Sequence, residues 1–159
     1  MFGFWKRSAK PIVRDLSGES APACARLHAA AFAHAWSAAD FERMIAAGNM
    51  VGDAALKPPN GPLTGFVLSR RAADEAEILT IAVDVRARRG GIGRALLAHH
   101  IARLAGLGVR ALFLEVEAEN AAALALYRAY DFLEVGRREA YYAKPEGARA
   151  AALVLRRAL

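Results

Sequence analysis

The chain has 159 residues, enough for one ordinary domain with a sizeable core. No apolar run approaches the roughly 20 residues of a membrane-spanning helix, and a single cysteine, Cys24, excludes an internal disulfide. The net charge of +6 admits a nucleic acid, a polyphosphate or an acidic docking surface as partner, so the placement of the charge has to decide.

Met1 to Arg7 is aromatic and then basic, which is not the order of a secretory signal. Residues 1–10 are expected to be a tail and residues 11–159 the domain. A short strand follows Pro11 over Ile12–Leu16, and helical signals run from Ala21 to His34. Cys24, in that alanine-rich stretch, is expected as a small core residue. Ser37 reads as the N-cap of a second helix, Ala38–Ala47, which stops at Gly48.

Strands are expected over Met50–Leu56, Leu63–Arg70 and Glu77–Val83, the first two separated by the turn Lys57–Pro62. Their connections are too short for crossovers, so the three form an antiparallel meander. A helix over Ile92–Ala105, ended by Gly106 and Gly108, leads to a strand at Ala111–Glu117. A helix from Asn120 to about Tyr130 and strands at Leu133–Tyr142 and Ala151–Arg157 complete the chain. The strand–helix–strand unit is long enough for a right-handed crossover, making Glu77–Val83 and Ala111–Glu117 parallel. The fold class is thus a single α/β (α+β) domain with a mixed central sheet, antiparallel in its first half and parallel around the switch, where ligands sit in open sheets.

Arg86, Arg88, Arg89 and Arg94 crowd one glycine-rich turn, Arg88-Arg89-Gly90-Gly91-Ile92-Gly93-Arg94, between an apolar strand and a helix. That concentration favours a compact phosphate site over a nucleic-acid stripe. A helix start exposes unpaired N–H groups and partial positive charge, and glycines let a pyrophosphate approach the backbone. A P-loop would need Lys-Ser or Lys-Thr, and a dinucleotide fingerprint a Gly or Ala where Leu96 stands. A second basic set, Arg137, Arg138, Lys144 and Arg149, reads as a solvated face. His28, His34, His99 and His100 form no i, i+4 pair with one another, no cysteine or acidic cluster joins them at metal-ligand spacing, and no metal is expected.

The turn resembles the acyl-CoA loop of the GNAT acetyltransferases, [QR]-x-x-G-x-[GA], through Arg88, Gly91 and Gly93. Leu114-Glu115-Val116 and Asn120 to Phe132 resemble the second half of that signature as it stands in the RimI-like ribosomal-protein-alanine N-acetyltransferases. Asp131 takes the place of a glycine there. The resemblance implies acetyl-CoA as co-substrate, held by the backbone of Ile81, Ala82 and Val83, by Arg88, Arg89, Gly90, Gly91, Ile92, Gly93 and Arg94, and by Asn120. Asn120 also reads as a helix N-cap.

Glu115 is the candidate general base, a carboxylate in an apolar strand where burial would make it a stronger base. The alternative is a solvated edge carboxylate paired with an arginine, and Glu117, on the same face, competes for the role. Tyr127, two helical turns beyond Asn120, is the candidate acid for the departing thiolate. On the acceptor side, Ala31 to Ser37 resembles an H-x-F-P-W-S segment and Arg137 to Tyr142 an R-R-x-x-Y-Y segment, marking Trp36 and Tyr142. The chain departs from the family in Ala35 for proline and in Ala150-Ala151, where acidic residues are usual after Arg149.

The expected activity is acetyl transfer to the N-terminal α-amine of a protein, an alanine of a small-subunit ribosomal protein first. The alternative is another peptide N-terminus or a small-molecule amine. Direct attack in a ternary complex, a cytoplasmic monomer, and no membrane or direct nucleic-acid partner complete the expectation.

Overall fold

The computed structural model describes residues 9–143 and 149–159, with the backbone alone for residues 140–143 and 149. The expected tail therefore lies almost wholly outside the described residues, as does Lys144. Among them the strands are β1 (Ile12–Asp15), β2 (Met50–Leu56), β3 (Leu63–Ala72), β4 (Glu75–Val83), β5 (Ala111–Glu117), β6 (Leu133–Ala143) and β7 (Arg149–Ala158). The helices are α1 (Ala21–Ala31), α2 (Ala38–Ala46), α3 (Ile92–Gly106) and α4 (Ala121–Ala129). The strands make one sheet in the order β1-β2-β3-β4-β5-β7-β6. The antiparallel meander β2-β3-β4 is as expected, and the parallel step is the single pair β4–β5. The last two strands form an antiparallel hairpin that places β7 against β5 and leaves β6 at the edge.

Alternation along β3 assigns the layers. Val67 enters a cluster with Leu96, Leu97, Ile101 and Leu104 of α3, with Leu112, Leu114 and Val116 of β5, and with Leu124 and Tyr127 of α4. Its neighbours Phe66 and Leu68 enter the opposite cluster, with Ala21 and Cys24 of α1 and Phe41 of α2. Helices α1 and α2 thus cover one face of the sheet, and α3 and α4 the other. Gly65 lets α3 come close, because a Cβ there would sit 3.0 Å from Ala82 O and from Leu96 Cδ1.

Cys24 fills the core position expected of it. Burial pushes its thiol up to about 12, against a smaller opposing backbone hydrogen bond. It should therefore ignore Ellman's reagent in the folded protein at pH 8 and release one equivalent of colour once denatured. Colour from the native protein would show that the α1 face opens.

The helix ends follow local chemistry. Helix α1 stops at Ala31, three residues short of the expected His34. Ser37 and Asp40 form a reciprocal capping box for α2: Asp40 N–H donates to Ser37 Oγ at 3.1 Å, and Ser37 N–H to Asp40 Oδ2 at 2.8 Å. At the end of α4, Phe132 N–H donates to Tyr127 O and Asp131 N–H to Arg128 O, both at 3.1 Å. This is a Schellman turn with Asp131 at φ 61°, the position that glycine normally takes. Asp131→Gly should stabilise the protein by about 1 kcal/mol, read from the denaturant midpoint. A loss of stability would mean that the carboxylate makes a compensating bond.

Candidate active site

The site begins with an irregularity in β4. Ser69 pairs with Ile78 and Leu68 with Thr80, so Leu79 is an extra residue, a β-bulge. Side chains confirm the flip. Ala76 and Ile78 lie in the α3 cluster, whereas Ala82, at the same even spacing, lies in the α1–α2 cluster. Pairing of β4 with β5 runs from Glu75↔Ala111 to Ile78↔Leu114 and goes no further, although β4 stays paired with β3 as far as Val83. A seam therefore opens through the sheet, with Ile81, Ala82 and Val83 on one side and the end of β5 on the other.

The glycine turn closes the upper end of this seam. Asp84 Oδ1 accepts from Arg86 N–H at 2.9 Å and caps a short 3-10 turn over Val85–Ala87. That N–H, and then the Arg86 guanidinium, hold the Asp84 carboxyl below its usual range. Arg88 Nε reaches Val83 O at 3.4 Å, tying the turn to the strand end. Arg89 has φ 65° and Gly91, the N-cap of α3, has φ 79°. Nothing lies within 4 Å of a Cβ at Gly91, so its backbone angle, and not space, requires glycine there. Gly90 and Gly91 are exposed, as are Arg86, Arg88, Arg89 and Arg94, while Ile92 buries its side chain and anchors the helix start. Unpaired N–H groups, a dipole end and the guanidinium groups of Arg88, Arg89 and Arg94 fit a pyrophosphate, while Arg86 is held by Asp84.

Glu115 lies between Leu114 and Val116, both in the α3 cluster, so it points to the opposite face, the one that carries α1 and α2. Glu117 shares that face. Glu115 is paired with Arg138 at 3.1 Å, and its side chain keeps 22% exposure. The ion pair with Arg138 is the partner that the arginine-paired alternative named. Arg138 is opposite Ala152 of β7, and its side chain crosses that small residue to reach β5.

Trp36 also belongs to this face, packed against the cluster that holds Ala82. Its N–H donates to His28 Nδ1 at 3.2 Å, and the His28 ring stacks on both Phe32, at 4.5 Å, and Trp36, at 4.6 Å. A backbone N–H only donates, so His28 is neutral at Nδ1. Burial holds its pKa below the ordinary value, in keeping with that. His28 is therefore the post around which the α1–α2 loop turns, a part that sequence reading missed. Tyr142 lies in β6, and its side chain is outside the described residues.

Across the sheet, Asn120 caps α4, its Oδ1 accepting from Ala123 N–H at 3.1 Å. Tyr127 is buried in the α3–α4 cluster, edge-on to Phe132 at 5.7 Å. Tyr130 Oη donates to Arg94 O at 3.0 Å, fixing the end of α4 to the start of α3. Glu115 and Tyr127 thus belong to opposite faces of the sheet, with the seam between those faces.

A second polar group, unmarked in the sequence, lies in the core. His100 Nδ1 is 2.6 Å from Asp53 Oδ2, and Ser69 Oγ is 2.7 Å from His100 Nε2. Arg103 donates to Asp53 Oδ1 at 2.6 Å. The order Ser–His–Asp is that of a hydrolytic triad, but all three side chains are fully buried and no substrate carbonyl can reach Ser69. It is a structural tie between β2, β3 and α3.

The Acetyltransferase (GNAT) family model matches residues 16–132, and this chain belongs to that family. The [ribosomal protein bS18]-alanine N-acetyltransferase of Escherichia coli K12 is 46% identical over 88 residues, 55% of this chain and 60% of that enzyme. The match thus spans less than two thirds of that relative. The N-alpha-acetyltransferase RimI of Mycobacterium tuberculosis H37Rv is 38% identical over 135 residues, 80% of this chain and 81% of the relative. The crystal structure of the Escherichia coli ribosomal-protein-S18-alanine N-acetyltransferase superposes with a TM-score of 0.85 at 32% identity, covering 94% of each chain. Among the described residues no helix is long and apolar enough to cross a membrane, and no group of three or more His, Cys, Asp or Glu could hold a metal ion.

Proposed function

We propose that this chain transfers the acetyl group of acetyl-CoA to the N-terminal α-amine of a protein, an N-terminal alanine of a small-subunit ribosomal protein, as a monomer in the cytoplasm. The observation that carries the reading is the seam beyond Ile78, ending at an arginine-flanked helix start and flanked by a carboxylate face and a phenol face. The names of the relatives support the acceptor.

In this reading Arg88, Arg89, Arg94 and the N–H groups of the Gly90–Gly93 turn hold the pyrophosphate. The backbone of Ile81, Ala82 and Val83 binds the pantetheine amides, and Asn120 adds a side-chain contact. Trp36 and Tyr142 orient the acceptor. Glu115, directly or through a water, takes one proton from the acceptor ammonium, whose ordinary pKa is about 7.7–8.0. The freed amine attacks the thioester carbonyl, and Tyr127 gives a proton to the departing thiolate. Glu117 is the other carboxylate that could serve as base. Arg138 must yield its place on Glu115 to the incoming ammonium, one cation replacing another.

Acetyl-CoA with short peptides that differ only in the first residue tests this, with free thiol as readout. Transfer to Ala-initiated peptides, but not to lysine side chains or free amines, is the expected result. Transfer only to small amines would replace the acceptor, and failure to bind acetyl-CoA would end the proposal.

A further inference from the structure

Thr80 follows the Leu79 bulge, at the point where β4 has left β5. It is opposite Leu68 on β3, whose side chain belongs to the α1–α2 cluster, so Thr80 points to that same face. The bulge is what puts it there. Without the extra residue, Thr80 would share the α3 face with Ala76 and Ile78.

The side chain is 5% exposed, and Thr80 Oγ1 has no hydrogen-bond partner among the described residues. A hydroxyl taken out of water and left unpaired carries its full desolvation penalty, which folded proteins rarely accept. Valine fills the same volume at no such cost. The hydroxyl is therefore best explained by a partner that arrives with a ligand. Across the seam the same face presents Glu115, one residue past the last β4–β5 pair, while Thr80 is two residues past it on β4. The two parallel strands thus bring a buried neutral hydroxyl and a carboxylate to the same face of the sheet, just beyond the last backbone pair that joins them. On the proposed reading the acceptor amine approaches this face and needs both: a base for one proton and an acceptor to hold a second N–H while its lone pair turns toward the thioester.

We propose that Thr80 Oγ1 is the acceptor-orienting group of the site, accepting a hydrogen bond from the substrate's α-amine while Glu115 removes its proton. The assignment rests on the acetyl-transfer reading above and adds a residue that neither the glycine turn nor the Glu115–Tyr127 signature contains. It also gives the Leu79 bulge a chemical purpose besides opening the seam.

Thr80→Val keeps the shape and deletes the hydroxyl, and Thr80→Ser restores it. With an Ala-initiated peptide, Thr80→Val should lower kcat/KM for the acceptor about ten- to a hundredfold, with the acetyl-CoA Kd within about twofold of wild type. Thr80→Ser should recover the acceptor kcat/KM to within about threefold of wild type. In the free protein the valine variant should melt at the same temperature or higher, because an unpaired buried hydroxyl has gone. A purely structural hydroxyl would give the reverse: a lower melting temperature and unchanged acceptor kinetics. Loss of acetyl-CoA affinity in Thr80→Val would move the group to the donor side and overturn the proposal. Should wild type transfer acetyl to no amine at all, the acetyl-transfer reading fails first. Should wild type and Thr80→Val work equally well, only the Thr80 assignment fails.

Discussion

Replacing Tyr127 by Phe is expected to cut kcat by about 10²–10⁴-fold while leaving acetyl-CoA affinity nearly unchanged. The ring sits in the α3–α4 cluster, edge-on to Phe132, and the Schellman bonds that close α4 involve its backbone, so phenylalanine keeps every packing contact. What goes is the phenol hydroxyl, on the proposed reading the proton donor to the departing thiolate. A thiolate leaving without a proton is a poorer leaving group at neutral pH, and the loss falls on the chemical step. Equal losses in turnover and acetyl-CoA binding would reduce Tyr127 to a packing residue.

The second large effect concerns stability. Asp53→Ala should cost about 3–5 kcal/mol, because it leaves His100 and Arg103 without the carboxylate that both contact in the interior. Replacing Asp53, His100 and Ser69 together by apolar residues of similar volume should cost less than the sum of the single changes, since only Arg103 then loses a partner and it keeps Gly52 O and Asp15. Burial alone would raise Asp53, but the hydrogen bond and charge of His100, followed by those of Arg103, outweigh it and hold the carboxyl below its usual range. The sign follows. The folded state binds this proton more weakly than the unfolded one, so the linked stability is whole above about pH 4 and is lost as pH falls through the lower folded-state value. Denaturant midpoints between pH 3 and 7 should drop more steeply for wild type than for Asp53→Asn. Parallel curves would mean that the carboxylate is not the group being titrated.

These two regions differ in how far they could be read from the sequence. The glycine turn, the Ser37 and Asn120 caps, and the strands around Glu115 are set by neighbours in sequence, and they lie where local pattern puts them. The Asp131 turn was legible for the same reason, since a helix end needs a left-handed residue whatever its identity. The β3–β4 hairpin was not. Its strands run on to Ala72 and back from Glu75, and Ala73 takes φ 53° with no glycine or asparagine to announce the turn. Nor could sequence show the insertion of β7 beside β5, which depends on which edge is open when the last hairpin docks. His100 meets Asp53 and Ser69 from 47 and 31 residues away, and no short motif encodes a contact of that range. The Glu115–Arg138 pair is of the same kind: both residues were marked, but their partnership depends on Ala152 being small enough to cross.

The short β4–β5 junction bears on the fate of the protein in the cell. Four backbone pairs, Glu75↔Ala111 to Ile78↔Leu114, join the two halves of the sheet directly. The halves otherwise share the apolar cluster that joins Val67 and α3 to β5, so this junction is where partial opening should cost least. On the proposed reading, a donor bound along it stabilises the closed form by mass action. Cleavage by a protease that attacks the opened state should therefore slow as acetyl-CoA rises, in proportion to site occupancy. The abundance of this enzyme would then follow the acetyl supply of the cell, with no regulator other than the substrate itself.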